Sequence, residues 1–277
     1  MTPGTELAAM VRALVPDWRA DALGAFEYLS GGYSNENYRF TYAGEAFVLR
    51  VPSRIRPFVD RAHEAAFYDG EHRVRIPTLV AFDPVTGNMI SRYEPGELLT
   101  DTAAQPAELV RYLEGLHAGL PPSGRRYDPV RLAREYLASG TPPGWIEDLA
   151  TGLVWRPFVS TPCHNDLNPW NVIVPATGAW VTLDWEWYGE NDPLFDLVTL
   201  HQGLGLDDAA LARMLSLWSG EPVAEWRLVG CLRAFWLREY AWAHAEWEHG
   251  NRRPEIGEQL DLAAGRLADL QSGTSSG

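Results

Sequence analysis

Residues 164–171, His-Asn-Asp-Leu-Asn-Pro-Trp-Asn, followed by Leu-Asp-Trp-Glu at 183–186, decide how this chain folds. Two short apolar runs, Val172–Val174 and Trp180–Leu183, lie between them and flank the turn sequence Pro-Ala-Thr-Gly. Apolar runs on either side of a Pro/Gly turn predict a β-hairpin. Because a hairpin folds its two ends together, we expect Asn171 and Asp184 to lie side by side, with Asp166 within reach.

These three side chains supply the groups that phosphoryl transfer needs. A carboxylate such as Asp166 can accept or orient the proton of an attacking hydroxyl. Amide and carboxylate oxygens such as those of Asn171 and Asp184 can hold Mg²⁺ against nucleotide phosphates. We therefore predict Asp166, Asn171 and Asp184 as catalytic residues, the last two also as metal ligands, with Mg²⁺ as cofactor and ATP as co-substrate.

Composition limits the alternatives. The chain has 277 residues, 46% of them hydrophobic, which suits one bilobal unit or two small domains. A formal charge of −14 argues against nucleic acid or an anionic membrane as partner. No apolar run reaches the roughly 18 residues of a membrane span, and the first residues do not resemble a signal peptide. Two cysteines, expected in the core, fit a reducing compartment. We expect a cytoplasmic protein.

The order of predicted elements is strand-rich first and helical later. The first part has helices at about 5–15 and 59–71 and strands at 26–29, 38–42, 46–51, 79–82 and 89–92. Tyr93–Gly96 breaks the pattern and is the expected interlobe linker. Helices follow at about 105–119, 129–139, 207–218, 224–249 and 255–271, with the hairpin as the only strand pair among them. We expect an N-lobe at 1–94, a C-lobe at 95–271 and a disordered tail at 272–277.

This order and three sequence blocks resemble the aminoglycoside phosphotransferase/choline kinase superfamily. The signature His-x-Asp-x-x-x-x-Asn with an Asp after a hairpin is present, and its wording is similar to that of bacterial LicA-type choline/ethanolamine kinases. The blocks are residues 31–38, 48–52 and 183–197. The resemblance implies an α+β, bilobal protein-kinase-like fold, with a small antiparallel-sheet N-lobe and a larger, mainly helical C-lobe.

The resemblance also implies roles for individual residues. Arg50, at the end of a strand, would hold the nucleotide phosphates, and Glu64 on the next helix would orient it. The chain has no lysine that could take this role. His164 and Asp196 would support the catalytic loop, Asp196 from the start of a helix. The full set expected to contact the nucleotide is Gly32, Ser34, Asn35, Asn37, Arg50, Glu64, Ser91 and Tyr93.

The acceptor must be recognised by other residues. The aromatic stretch 235–247 predicts a helix that offers ring faces and a carboxylate, a combination that suits an ammonium group. LicA-type enzymes usually carry a Glu seven residues after Asp196, where this chain has Gly203, and Glu239 is a candidate replacement. The expected substrate-binding residues are Asp166, Asn168, Glu186, Trp236, Glu239 and Trp242. For Glu186 a solvated loop carboxylate is the competing interpretation, and for each Trp it is simple packing.

The resulting hypothesis is a kinase that phosphorylates a hydroxyl of choline or a related amino alcohol. An aminoglycoside, an amino sugar, another sugar or thiamine are alternative acceptors. An inactive nucleotide-binding scaffold is the alternative of another class, disfavoured because no predicted functional residue is lost. A protein kinase is disfavoured because Asn165 replaces the usual catalytic-loop Arg. The oligomeric state is left open.

Overall fold

The computed structural model describes residues 3–30, 34–54, 56 and 58–273. Two compact units divide the chain: the first contains residues 1–104 and 168–187, and the second contains residues 105–167 and 188–277. None of the helices formed by the described residues has the length and apolar character needed to span a bilayer.

In chain order the α-helices and β-strands are α1 (Pro3–Leu14), β1 (Glu27–Leu29), β2 (Asn35–Tyr42), β3 (Glu45–Pro52), α2 (Arg61–Asp69), β4 (Leu79–Phe82), β5 (Met89–Arg92), β6 (Glu97–Leu98), α3 (Pro106–Gly119), α4 (Pro129–Leu137), α5 (Gly144–Gly152), β7 (Thr161–Cys163), β8 (Val172–Val174), β9 (Val181–Thr182), β10 (Gly189–Asn191), α6 (Pro193–Gly203), α7 (Asp208–Ser219), α8 (Glu225–Glu248) and α9 (Pro254–Ser272).

The first unit is built on a five-stranded antiparallel sheet in the order β1-β2-β3-β5-β4. Successive side chains of a strand point to opposite faces. In β3, Phe47 and Leu49 are therefore on one face, where they join the buried core with Leu7 and Val11 of α1. Arg50 is on the other face. Strand alternation thus directs Arg50 away from the apolar core.

A second, three-stranded sheet in the first unit has the order β6-β8-β9. Strands β8 and β9 form the predicted hairpin, with Val172 opposite Thr182 and Ile173 opposite Val181. Beyond the last pair, the backbone N–H of Leu183 donates to the carbonyl of Asn171 at 2.8 Å. The hairpin prediction is confirmed, and it brings Asn171 opposite the residue that precedes Asp184.

The second unit is mainly helical. Its long central helix, α8, packs against α4, α6 and α9, and α3 packs against α6 and α7. Helix α6 begins after Asp192, whose side chain caps the helix by accepting the N–H of Leu194, and Pro193 occupies the first turn. Strands β7 and β10 pair antiparallel, with Cys163 opposite Gly189. This pairing holds the segment that precedes residues 164–171, the predicted catalytic loop.

The kinase-like α+β architecture is as predicted, but three local expectations were wrong. The hairpin is not the only strand pair after residue 96, because β6, β7 and β10 are also strands. Helix α5 was missed, since its Thr-Pro-Pro-Gly start has the composition of a loop. Ser272 is the last residue of α9 rather than part of a disordered tail, and residues 274–277 lie outside the described residues.

The division into compact units does not follow the expected lobe boundary at residue 94. Segment 168–187, expected in the C-lobe, groups with the first unit, as does the expected linker Tyr93–Gly96. The physical reason is that β6 pairs with β8, which joins the hairpin to the chain that follows the five-stranded sheet. The lobe assignment itself stays a prediction.

Candidate active site

Asp184 lies among polar side chains of the first unit. Its carboxylate accepts hydrogen bonds from Asn35 Nδ2 at 3.1 Å and from Arg50 Nη1 at 3.0 Å. Residue 184 also has a left-handed backbone, with φ of 59°, a conformation that Asp adopts more readily than most residues. The sequence-predicted residues Asn35, Arg50 and Asp184 therefore form one hydrogen-bonded group.

Arg50 also forms the predicted ion pair with Glu64 of α2. Arg50 Nη1 donates to Glu64 Oε1 at 2.5 Å, and the two side chains are 5% and 0% exposed. Burial opposes ionisation of Glu64, but the charges of Arg50 and Arg61 outweigh it and hold the pKa of this carboxyl below its ordinary value. The pair is therefore ionised at neutral pH.

The ion pairs continue beyond Glu64. Arg61 Nη1 contacts Glu64 Oε2 at 2.7 Å and Glu186 Oε2 at 2.8 Å, and Arg56 Nη1 lies 3.8 Å from Glu186 Oε1. We call Asp184, Arg50, Glu64, Arg61, Glu186 and Arg56 the buried charge chain. Its three carboxylates and three guanidinium groups cancel in formal charge, which offsets the cost of burying four of these groups and partly burying Asp184 and Arg61.

Glu186 is therefore not the solvated loop carboxylate that sequence reasoning left open. It is 2% exposed and contacts two arginines of its own unit. Its assignment to substrate binding stays a prediction. Arg56 and Arg61 were not predicted as site residues, although the spacing of Arg61 three residues before Glu64 on a helix is a signal for an ion pair.

The other expected nucleotide contacts occupy varied positions in the first unit. Asn37 lies in β2 opposite Arg50 of β3, and Ser91 of β5 is buried. The carbonyl of Ser34 accepts from the backbone and the hydroxyl of Ser53. The ring of Tyr93 lies under the guanidinium of Arg39, at 4.5 Å. Gly32 is outside the described residues. No contact of these residues tests their predicted role.

The donor set fits magnesium. Asp184 and Asn171 offer carboxylate and amide oxygens, the ligand type of hard divalent cations. The Asp184 carboxylate accepts from Asn35 and Arg50, and a bound cation would share it with these two donors. Its side chain is 18% exposed, so it is reachable from solvent. The backbone carbonyl of Asn168 accepts from the N–H of Asn171, and the substrate-binding role of the Asn168 side chain stays a prediction.

The second unit contains residues 164–167 of the predicted catalytic loop, including Asp166. The backbone N–H groups of His164 and Asn165 donate to Asp196 at 2.9 and 2.7 Å. His117 Nε2 contacts the same carboxylate at 2.9 Å. The N–H of Asp166 donates to His164 Nδ1 at 3.2 Å. His164 and Asp196 thus contact the loop through hydrogen bonds, in the manner of supporting residues.

Asp196 is fully buried in helix α6, and its charge needs these partners. Burial opposes ionisation, but the hydrogen bond and charge of His117, with the contribution of His164, keep the pKa of Asp196 below its ordinary value. Cys163 lies close enough for His117, Cys163 and Asp196 to form a potential metal group. However, burial and nearby carboxylates raise the pKa of Cys163 well above its ordinary value, so this sulfur is a thiol. We read the group as structural.

Arg238 of α8 contacts the catalytic loop and was not predicted. Its Nη1 donates to the carbonyl of Asn165 at 2.5 Å, and its Nη2 lies 3.3 Å from Asp166 Oδ1. The sequence signal is weak, because a single Arg in an aromatic helix resembles many surface residues. The arginine is nevertheless 4% exposed.

Two of the residues expected to bind an ammonium group already have partners. Glu239 accepts from Arg238 Nη2 at 2.7 Å and from Gln259 Nε2 at 2.9 Å. Trp236 is buried against Phe235, at 4.9 Å between ring centroids, with Arg266 6.0 Å from its ring. Trp242 is half-buried. Packing therefore accounts for Trp236, and the substrate-binding role of all three stays a prediction.

Asp166 belongs to the second unit, whereas Asn171 and Asp184 belong to the first. Their convergence on one metal ion and one phosphate stays a prediction. Each unit nevertheless joins some of the predicted residues: ion pairs connect Arg50 with Glu64 and Asp184 in the first, and Arg238 contacts Asp166 in the second.

Comparison with known proteins finds a related sequence and solved structures with a similar fold. Protein LicA of Haemophilus influenzae is 24% identical over 275 residues, covering 87% of this chain and 79% of that protein. The crystal structure of choline kinase LicA from Streptococcus pneumoniae has a TM-score of 0.75 at 17% identity, with 96% of this chain and 98% of that chain covered. The GDP and kanamycin complex of APH(2″)-IIia has a TM-score of 0.65 at 16% identity, with 95% and 99% covered. The structural matches show a shared fold.

Residues 25–229 match the phosphotransferase enzyme family. The matched segment contains the buried charge chain, the hairpin and the catalytic loop. It spans well over half of the sequence. The superfamily resemblance of the sequence motifs is thereby confirmed, and this chain belongs to the phosphotransferase enzyme family.

Proposed function

We propose that this phosphotransferase transfers the γ-phosphoryl group of ATP to a hydroxyl of choline or a related amino alcohol. The observation that carries the proposal is the hydrogen-bonded group around Arg50. This buried arginine donates to Asp184, the proposed metal ligand, and to Glu64 of α2. This is the combination of charges that nucleotide-dependent phosphoryl transfer uses.

In this proposal Asn171 and Asp184 would hold Mg²⁺, which would offset the negative charge of the nucleotide phosphates. Arg50 binds the phosphates through its guanidinium group, which the ion pair with Glu64 orients. Arg suits this task because its guanidinium group can form bidentate hydrogen bonds with phosphate oxygens. Asp166 accepts the proton of the acceptor hydroxyl as it attacks in line with the departing ADP. No phosphoenzyme is formed.

The amino-alcohol acceptor is supported by the sequence similarity to Protein LicA of Haemophilus influenzae and by the structural similarity to choline kinase LicA of Streptococcus pneumoniae. The pairing of Glu239 with Arg238 argues that this carboxylate is not the group that meets an ammonium ion. Aromatic faces are the remaining candidates, and the half-buried Trp242 is more accessible than the buried Trp236.

A second acceptor class is favoured by a specific observation. The fold is shared with the GDP and kanamycin complex of APH(2″)-IIia. An aminoglycoside carries several ammonium groups, and the formal charge of −14 suits such a ligand. GTP is the corresponding alternative phosphoryl donor.

The experiment is a screen of ADP or GDP release in the presence of Mg²⁺, with choline, ethanolamine, thiamine, an amino sugar and an aminoglycoside as acceptors. Choline or ethanolamine should give the highest kcat/KM with ATP. Preference for an aminoglycoside would replace the acceptor assignment and leave the kinase assignment intact. No release with any acceptor, together with retained nucleotide binding, would identify a scaffold.

Asp166→Asn tests the base assignment. The amide cannot take up the proton, so kcat should fall about 10²-fold or more while ATP binding measured by calorimetry is retained. Asp148→Asn is a matched control, since it makes the same replacement at an exposed residue of α5 in the same unit. Near-normal turnover of Asp166→Asn would refute the assignment.

A further inference from the structure

Arg238 is the buried guanidinium group that contacts the loop bearing the proposed base. Its Nη1 donates to the Asn165 carbonyl at 2.5 Å and its Nη2 lies 3.3 Å from Asp166 Oδ1. Asn165 has a left-handed backbone with φ of 70°. One planar side chain therefore contacts both the strained residue of the loop and the carboxylate that follows it.

Arg238 is itself held from several directions. Glu239 Oε1 accepts from its Nε at 3.1 Å and its Nη2 at 2.7 Å, and Gln259 of α9 donates to the other oxygen of Glu239 at 2.9 Å. The rings of Phe195 and Phe235 lie 5.4 and 5.5 Å from its guanidinium carbon. A side chain restrained in this way cannot swing out to solvent, so its position is fixed before any substrate binds.

We propose that Arg238 is a positioning residue for catalysis, which holds the Asp166 carboxylate in its reactive orientation and favours its ionised form. The inference rests on the proposed role of Asp166 as base. A cation 3.3 Å from a carboxylate favours the charged state, and a fork anchored on the preceding carbonyl limits the rotation of the loop. Misplacement of a catalytic group by about 1 Å can cost 10²-fold in rate, so such restraint matters.

The other groups around this contact are consistent with that role. Tyr127 lies with its hydroxyl 3.5 Å from Arg238 Nη1, and burial raises its pKa, so it is neutral. His164 accepts the N–H of Asp166 through Nδ1, which requires an unprotonated Nδ1. Glu239 offsets part of the arginine charge. Arg238 is thus the cation that contacts Asp166, and Glu239 pairs with that same arginine.

The test compares Arg238→Met with Arg238→Lys, using ATP, Mg²⁺ and the acceptor that ranks first in the screen above. Arg233→Met is the matched control, because Arg233 is on the same helix and donates to the carbonyl of Leu270. For Arg238→Met, kcat should fall about 10²-fold with KM for ATP unchanged within about threefold. The acid limb of the kcat/KM profile should move to higher pH, because the lost cation favoured ionised Asp166. Arg238→Lys should restore the acid limb but only part of kcat.

Glu239→Gln provides an independent measurement if Arg238→Met does not fold. If Glu239 holds Arg238, kcat falls; if Glu239 instead binds the acceptor, KM for the acceptor rises with kcat unchanged, and the inference loses its support. A kcat of Arg238→Met within threefold of that of Arg233→Met would overturn the proposal. So would a lower kcat with an unmoved acid limb, which describes a purely structural arginine. Normal turnover of Asp166→Asn would instead overturn the proposed role of Asp166 as base, and no ADP release with any acceptor would overturn the proposed function.

Discussion

The buried charge chain makes Glu64 a sensitive position for stability. Glu64 is 0% exposed and contacts Arg50 at 2.5 Å and Arg61 at 2.7 Å. Glu64→Gln keeps the shape of the side chain but removes its charge, leaving two buried cations beside a neutral amide. Removing one partner of a buried ion pair costs about 3–5 kcal/mol. Because Arg50 and Arg61 retain Asp184 and Glu186, we expect the lower end, about 3 kcal/mol.

The expected cost can be measured by scanning calorimetry. A loss of about 3 kcal/mol corresponds to a fall in Tm of roughly 6–12 °C for a protein of this size. Glu45→Gln is the matched control in the same unit, because Glu45 pairs with Arg92 at 2.8 Å with side chains 55% and 51% exposed. Such an exposed pair contributes below about 1 kcal/mol. A Tm for Glu64→Gln within about 2 °C of the control would refute the reasoning.

The same variant has a defined pH dependence. The folded-state pKa of Glu64 is below its ordinary value of 4.5, so its ionisation stabilises the fold above that value. This contribution is lost as the pH falls through the folded-state pKa. The difference in Tm between wild type and Glu64→Gln should therefore be at full size at neutral pH and shrink in strong acid. A difference that grows with acidification would contradict the assignment.

Two further predictions concern close packing. Gly96→Ala would place a Cβ 2.6 Å from Ile173 Cγ2 and 2.7 Å from the carbonyl oxygen of Val174. We therefore expect urea unfolding to show a loss of about 1–3 kcal/mol in the free energy of unfolding. The control Gly115→Ala, at a position with open space around it, should not destabilise the protein. Burial and the charge of Asp196 raise the pKa of Cys163. This thiol should therefore resist a thiol reagent at pH 8 in the native protein and react after unfolding. Rapid labelling of Cys163 in the folded protein would contradict its burial.

Much of the fold could be predicted because its signals are local. The β4 and β5 runs and the first strand of the hairpin have apolar patterns bounded by turn residues, and their limits agree with the structure. Strands β6, β7 and β10 could not be predicted in this way. Each has two or three residues, and Glu97 of β6 becomes a strand residue only by pairing with Val174, far away in sequence.

The site was predictable where a motif fixes spacing, and less so where charges meet through the fold. Arg50 and Glu64 were paired in advance because the resemblance places them, and their ion pair is present. Glu186 and Arg238 could not be placed, because a sequence does not show which distant cation or carboxylate packs beside a given one. The pairing of Glu239 with the adjacent Arg238 was likewise not predicted, and the substrate-binding role of Glu239 stays a prediction.

The left-handed backbone at Asp184 restricts what evolution can substitute there. With φ of 59°, Asn and Gly fit at little cost, whereas a β-branched or bulky residue adds about 1–2 kcal/mol of strain. A homologue that has lost phosphotransferase activity can therefore keep the backbone conformation of this loop with Asn or Gly at this position. Valine or isoleucine at the same position would instead signal a loop that has been rebuilt.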